Sequence, residues 1–259
     1  MRKIIYYYQT FNGLKYLLNI KCSTISHLNI ASIHFGKNAD KSNYIQLNDH
    51  VPDNTIFDIL WEECSEASKY CNIYLMVGGA GGAYKELFSD FENYYRLLYN
   101  LIKSKKCISG IDLDIEENVS LENIVMLIKR IKIDFGDNFG ISMAPLSSSL
   151  EEDIPGMGGF IYKELYKEVG NLISHFNTQC YYDMSENILD NIINNGYPEE
   201  KIVVGMISSQ DINKNINIIG KLNNKYNKFG VYNWEYFDSP PGTPERPDIW
   251  SEIMNYLLN

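Results

Sequence analysis

Three carboxylates, Asp112, Asp114 and Glu116, stand at alternate positions in Cys107-Ile108-Ser109-Gly110-Ile111-Asp112-Leu113-Asp114-Ile115-Glu116. In an extended strand this spacing puts all three on one face and Ile111, Leu113 and Ile115 on the other. Neighbouring side chains on that face are then roughly 6.5–7 Å apart. Carboxyl groups so arranged cannot all ionise cheaply once buried, so burial drives some of their pKa values upward. A carboxylic acid still protonated near neutral pH is what general-acid catalysis requires. Two other readings of the run are a solvent-facing strand with no site and a divalent-cation site, since hard cations take clustered oxygen ligands. No further ligand-rich stretch accompanies the run, and no metal or other cofactor is expected.

The elements needed to position such a strand are legible along the whole chain. Short apolar runs over 3–9, 27–35, 72–77, 107–116, 138–145, 175–182, 201–207 and 229–236 alternate with helical patterns. Pro52-Asp53-Asn54 opens a helix, with Ile56, Ile59, Leu60, Cys64 and Ala67 at helical spacing, and residues 83–105 read as one long amphipathic helix. Ser120 is placed to cap a helix carrying Ile124, Leu127, Ile128 and Ile131 on one side. Further helices are expected over 160–173, 186–194, 213–226 and 248–258. Eight strand–helix alternations predict an α/β protein with a single (β/α)8 barrel over residues 1–259, the alternative being a doubly wound open sheet. The barrel is favoured because functional-looking residues recur at the C-terminal ends of many strands, where barrel enzymes place their sites.

Composition sets outer bounds. The chain has 259 residues, 45% hydrophobic and 22% charged, large enough for one substantial core. A formal net charge of -10 argues against nucleic acid or an anionic membrane as partner. Twenty tyrosines and three tryptophans supply flat amphipathic rings suited to sugars as well as to cores. Cys22, Cys64, Cys71, Cys107 and Cys180 are scattered without a paired motif, so free thiols are expected. The N-terminus enters a strand at once without the pattern of a signal peptide, which suggests an intracellular protein or the mature domain of a longer precursor. A monomer is expected.

At the strand ends, Gly78-Gly79-Ala80-Gly81-Gly82 does not fit GxGxxG, because Tyr84 occupies the last position; a tight loop beside the site is the expectation. Gln179, Tyr181 and Asp183 share one strand parity, as do Trp234 and Tyr236. Here the sequence resembles glycoside hydrolase family 18, the chitinase family. Residues 109–116, Ser-Gly-Ile-Asp-Leu-Asp-Ile-Glu, resemble its DGxDxDxE signature. Met76-Val77-Gly78-Gly79 resembles its SxGG motif, Gln179-Cys180-Tyr181 its QxY motif, and Trp234 sits where the family keeps a tryptophan on the last barrel strand. The motifs follow the family's order over nearly the whole chain.

The resemblance implies retaining hydrolysis of β-1,4 linkages beside N-acetylglucosamine, with the substrate's own acetamido group as nucleophile. It makes Glu116 the general acid and base, with Asp114 and Tyr181 on the acetamido group and Asp112 behind Asp114. Trp234 becomes the floor beneath the sugar, and Gln179, Met143, Gly78, Gly79, Tyr8 and Asp183 complete the expected sugar-binding set. An alternative family pattern would select Tyr182 and Asp183 in place of Tyr181. Ser109 and Met76 depart from the motifs, at positions expected to tune the inner acids. About twenty residues separate the last two strands, too few for a chitinase insertion domain, so an open groove and endo-type cleavage are expected. The implied partner is an N-acetylglucosamine oligo- or polysaccharide, most readily chitin. An endo-β-N-acetylglucosaminidase acting on N-glycan cores, a non-catalytic sugar-binding relative and a metal-dependent hydrolase are the rivals.

Overall fold

Side-chain alternation sorts the strands into an inward and an outward face, and the outward face carries most of the hydrophobic mass. In the computed structural model, which describes residues 2–259, the strands are β1 (Ile4–Tyr8), β2 (His27–Lys37), β3 (Asn43–Leu47), β4 (Asn72–Gly78), β5 (Ile108–Asp114), β6 (Gly140–Met143), β7 (His175–Gln179), β8 (Ile202–Ile207) and β9 (Gly230–Trp234). Their order is β1-β9-β8-β7-β6-β5-β4-β2-β3, and a β1–β2 pairing closes the ring. Eight strands are parallel around a barrel, and β3 is an antiparallel addition to β2. The chain is a single (β/α)8 barrel. Only the helix Ile212–Asn223 lies between β8 and β9, and no inserted domain interrupts them.

The core has two compartments. Between barrel and helices lies the large one, including Ile4, Tyr6, Tyr8, Ile111, Leu113, Ile115, Met143 and Phe176. Inside the barrel is a small cluster of Ile5, Tyr7, Ala31, Met76, Val203 and Tyr232. Packing layers of side chains inside a small barrel requires matching large to small. At Gly140 a Cβ would sit 1.6 Å from the Tyr74 hydroxyl, so only glycine leaves room for that ring.

Two differences from the sequence expectation bear on the barrel mouth. Residues 83–105 form two helices, Tyr84–Ser89 and Phe91–Ser104, separated at Asp90, whose backbone is non-helical at φ -153° and ψ 64°. The Asp90 carboxylate accepts hydrogen bonds from Asn93 Nδ2 (3.0 Å) and from Asn43 Nδ2 (2.8 Å), which ties the break to β3. The second difference is β3 itself. β2 runs two residues beyond its expected end and turns back through Asn38–Ser42 to form a hairpin, Ile33 pairing Leu47 and Lys37 pairing Asn43. That hairpin raises one wall of the barrel mouth. Among the described residues no helix is long and apolar enough to cross a membrane.

Candidate active site

β5 delivers the carboxylates as its alternation requires. Asp112 is fully buried in the barrel, Asp114 nearly so, and Glu116 is half-buried just beyond the strand end. Asp112 is surrounded by donors: Tyr7 Oη donates to Oδ2 (2.7 Å), while Ser142 Oγ (2.5 Å) and Asn177 Nδ2 (3.0 Å) donate to Oδ1. Burial pushes the Asp112 carboxyl upward, and these three hydrogen bonds oppose that rise by stabilising the anion. Asp114 has less compensation. Its Oδ1 accepts one long bond from Gln179 Nε2 (3.3 Å). Burial, followed by the neighbouring charges of Glu116 and Asp112, holds its pKa well above the ordinary carboxyl range. The ladder therefore sets a donor-rich inner acid beneath a middle acid that favours its proton.

The other strand ends converge on the same point. Gln179 Nε2 also donates to the Ala144 carbonyl (2.8 Å), so the backbone just after β6 fixes its amide. Tyr232 Oη donates to Tyr181 Oη (3.0 Å), and Trp234 leans on Tyr7 with ring centroids 5.2 Å apart. Asp114, Glu116, Gln179, Tyr181, Trp234, Gly78 and Gly79 all line one cleft of about 770 Å³ at the barrel mouth. Gly78, at φ +96°, could not carry a side chain, because a Cβ would fall 2.2 Å from the Asp114 carbonyl oxygen. Among the described residues no group of three or more His, Cys, Asp or Glu side chains is placed to hold a metal ion.

Glu117, next to Glu116, has a different task. Its Oε1 accepts the backbone N–H groups of Ala83 (2.5 Å), Tyr84 (2.6 Å) and Lys85 (3.2 Å), at the start of the helix Tyr84–Ser89. A carboxylate there satisfies donors that have no partner within the helix and favours the positive end of its dipole. The glycine loop that lines the cleft is thereby anchored to the end of β5. Glu117→Ala is expected to cost about 1.5–3 kcal/mol of stability, the range for hydrogen bonds to a charged group. Calorimetry checks this, with Tm expected to fall by about 2–10 °C.

Three sugar-binding expectations are not met. Tyr8 is fully buried among Phe11 and Tyr236 on the helix side of β1, its hydroxyl accepting the Gly13 N–H (2.6 Å). Met143 is fully buried in the same outer layer. Asp183 lies beyond the end of β7, exposed and hydrogen-bonded by Ser147 Oγ, outside the cleft lining. Tyr182 is 91% exposed, so the Tyr181 alternative is the one that reaches the carboxylates' cleft. Tyr236 likewise packs in the outer core, not beside Trp234. Tyr7, Ser142, Asn177 and Tyr232 were not singled out by sequence reasoning, though Asn177 and Tyr232 share strand parity with Gln179 and Trp234.

A scan of protein-family models and a search of curated proteins both returned no match. Solved structures do match. A fungal endo-β-N-acetylglucosaminidase from glycosyl hydrolase family 18 is 30% identical over 100% of this chain and 99% of its own, with a TM-score of 0.89. The chain belongs to glycoside hydrolase family 18. A chitinase from Aspergillus fumigatus is 29% identical over the full length of both chains, with a TM-score of 0.85. A family 18 chitinase from Pseudoalteromonas aurantia shares the fold at 19% identity and a TM-score of 0.76, covering 99% of this chain and 100% of its own. This family 18 member is thus a glycoside hydrolase.

Its two departures from the family 18 motifs occupy different surroundings. Ser109 lies at the start of β5, where its Oγ accepts the Ile73 N–H (3.1 Å) and donates to the Ile73 carbonyl (3.3 Å). There the β4–β5 register shifts, and the hydroxyl satisfies backbone groups that the irregular ladder leaves over. Ser109 is a strand-pairing device three residues before Asp112, and does not border the inner acids as the sequence reading expected. Met76 does: it is buried inside the barrel, in register with Asp112, and lines the cleft.

Proposed function

We propose that this glycoside hydrolase cleaves β-1,4 linkages adjacent to N-acetylglucosamine with retention of configuration, using the substrate's acetamido oxygen as the nucleophile. The observation that carries the reading is the vertical division of the carboxylates: Glu116 opens into the cleft while Asp114 is buried beneath it. Glu116 donates its proton to the leaving glycosidic oxygen. As that bond breaks, the acetamido carbonyl oxygen attacks the anomeric carbon and forms a cyclic oxazolinium ion. Asp114 passes the proton it favours at rest to Asp112 and, as a carboxylate, holds the acetamido N–H and stabilises the developing positive charge, while Tyr181 donates to the acetamido oxygen. Glu116, now a carboxylate, then removes a proton from the water that opens the oxazolinium. Trp234 provides the apolar floor against which the sugar is held. Holding the acetamido group in attack geometry makes the first step intramolecular, an advantage that reaches roughly 7–11 kcal/mol in favourable systems.

Chitooligosaccharides are the substrate proposed first. A second reading, the chitobiose core of N-glycans, draws support from the likeness to the fungal endo-β-N-acetylglucosaminidase. Release of fluorophore from chitobiose and chitotriose conjugates, in parallel with release of glycan from a high-mannose glycoprotein, separates the two. Cleavage of the conjugates with EDTA present is expected. Cleavage of the glycoprotein alone would move the assignment to the N-glycan core, and activity abolished by EDTA would overturn the mechanism. The open groove, free of an inserted domain between β8 and β9, supports internal cleavage of the chain.

A further inference from the structure

β1 sends Ile5 and Tyr7 into the barrel interior, and Gln9 continues that inward parity one step higher, at the mouth. Gln9 lines the cleft together with Trp234 and Glu116. Its backbone is gripped from two sides. The Gln9 N–H donates to Glu235 Oε2 (3.2 Å), and its carbonyl accepts from Asn48 Nδ2 (3.0 Å). Both holders are themselves fixed. Asn48 pairs with the backbone of Ser32 in both directions, its Oδ1 accepting Ser32 N–H (3.2 Å) and its own N–H donating to the Ser32 carbonyl (3.0 Å). Glu235 is a buried carboxylate that also collects Thr10 Oγ1 (3.1 Å) and the Phe237 N–H (3.1 Å), both on Oε1.

Glu235 follows Trp234 directly. Its N–H donates to Ser208 Oγ (3.1 Å), and that hydroxyl donates to the Trp234 carbonyl (2.9 Å). One residue thus ties the aromatic floor to the Gln9 backbone. By contrast, the Gln9 side-chain amide has no hydrogen-bond partner among the described residues, although everything around it is fixed. A carboxamide presents one acceptor oxygen and two N–H donors, which match the hydroxyls and acetamido groups of a sugar. We propose that Gln9 is a sugar-binding residue of the cleft, with Glu235 as the positioning residue that presents it beside Trp234. This inference rests on the carbohydrate-hydrolase reading of the same cleft.

Steady-state kinetics on the chitobiose and chitotriose conjugates test it, with binding of unlabelled chitooligosaccharides followed by calorimetry and thermal melts run alongside. Gln9→Ala is expected to raise KM about 3- to 10-fold, the range for one neutral hydrogen bond, with kcat within about twofold and an unchanged Tm. Glu235→Gln keeps an acceptor for Thr10 and Phe237 but turns an NH₂ group toward the Gln9 N–H, setting donor against donor. It is expected to raise KM by a similar factor. Because both changes act through one contact, the double variant is expected to be no worse than Gln9→Ala alone. Wild-type KM in Gln9→Ala would overturn the inference while leaving the hydrolase reading intact. So would a Glu235→Gln variant that melts earlier without a change in KM, or effects that add in the double variant. A wild-type protein that neither cleaves nor binds any of these oligosaccharides would overturn the proposed function, and the inference with it.

Discussion

Glu116→Gln is expected to lower kcat on chitooligosaccharide conjugates by about 10²–10⁴-fold or more, the range lost with a general acid–base group. The amide keeps the shape of the side chain but has no acidic proton for the leaving oxygen, and it cannot later accept one from water. Its effect on folding is expected to be small, because Glu116 is half-buried and makes no side-chain hydrogen bond among the described residues. The adjacent position gives the contrast. Glu117 holds three backbone N–H groups, so its loss strikes stability first. Stopped assays and melts on the two variants separate chemistry from scaffold. Near-normal turnover by Glu116→Gln would remove it from the proton-transfer role.

Asp114→Asn is expected to reduce kcat by about 10²–10³-fold, comparable to removing one preorganised electrostatic contact from a transition state. Its effect on stability runs the other way. In the folded protein the Asp114 pKa lies well above its unfolded value, burial being the main cause. The folded state therefore binds the proton more tightly than the unfolded chain does. The resulting stability is fully present below the ordinary carboxyl pKa and is lost as pH rises through the raised folded value. Asp112 and Glu235 are displaced upward by burial in the same sense. Buried His27 and His175, held neutral by burial, act with the opposite sign but equally in both proteins. The stability of the Asn variant, which cannot ionise, is therefore expected to rise relative to wild type as pH increases above the ordinary carboxyl range. Denaturant unfolding across that pH range checks the sign; an equal slope in both proteins would place the Asp114 pKa near the unfolded value.

The barrel was legible because each of its strands alternates with a helix-period segment, and the acid ladder because alternation within β5 leaves one arrangement for Asp112, Asp114 and Glu116. Gln179, Tyr181 and Trp234 were placed in the cleft by the same logic. The misplacements on β1 and β6 are off by a single residue. Tyr8 and Met143 face the helices, while Tyr7 and Ser142, one position earlier, bond Asp112 inside the barrel. In a parallel strand buried on both faces, hydrophobic residues occupy both parities, so the pattern alone does not say which is inward. Tyr6-Tyr7-Tyr8 is a case in point, three identical residues of which only the middle one faces in. The β2–β3 hairpin was missed for another reason. Its turn, with Lys41 at φ 67°, carries no glycine to mark it. Asp90 breaks a helix through bonds to Asn43 on that hairpin, a long-range contact that helical periodicity does not report.

Neighbouring-group participation is the central claim, and a substrate series tests it most directly. Fluorogenic chitobiosides would carry N-acetyl, N-fluoroacetyl or N-trifluoroacetyl on the sugar at the cleavage point, each fluorine drawing electron density from the carbonyl oxygen. If that oxygen attacks the anomeric carbon, kcat/KM falls steeply and in order across the three, with Glu116 intact throughout. Rates that stay level across the series would contradict the mechanism and return the nucleophile to a protein carboxylate or to water.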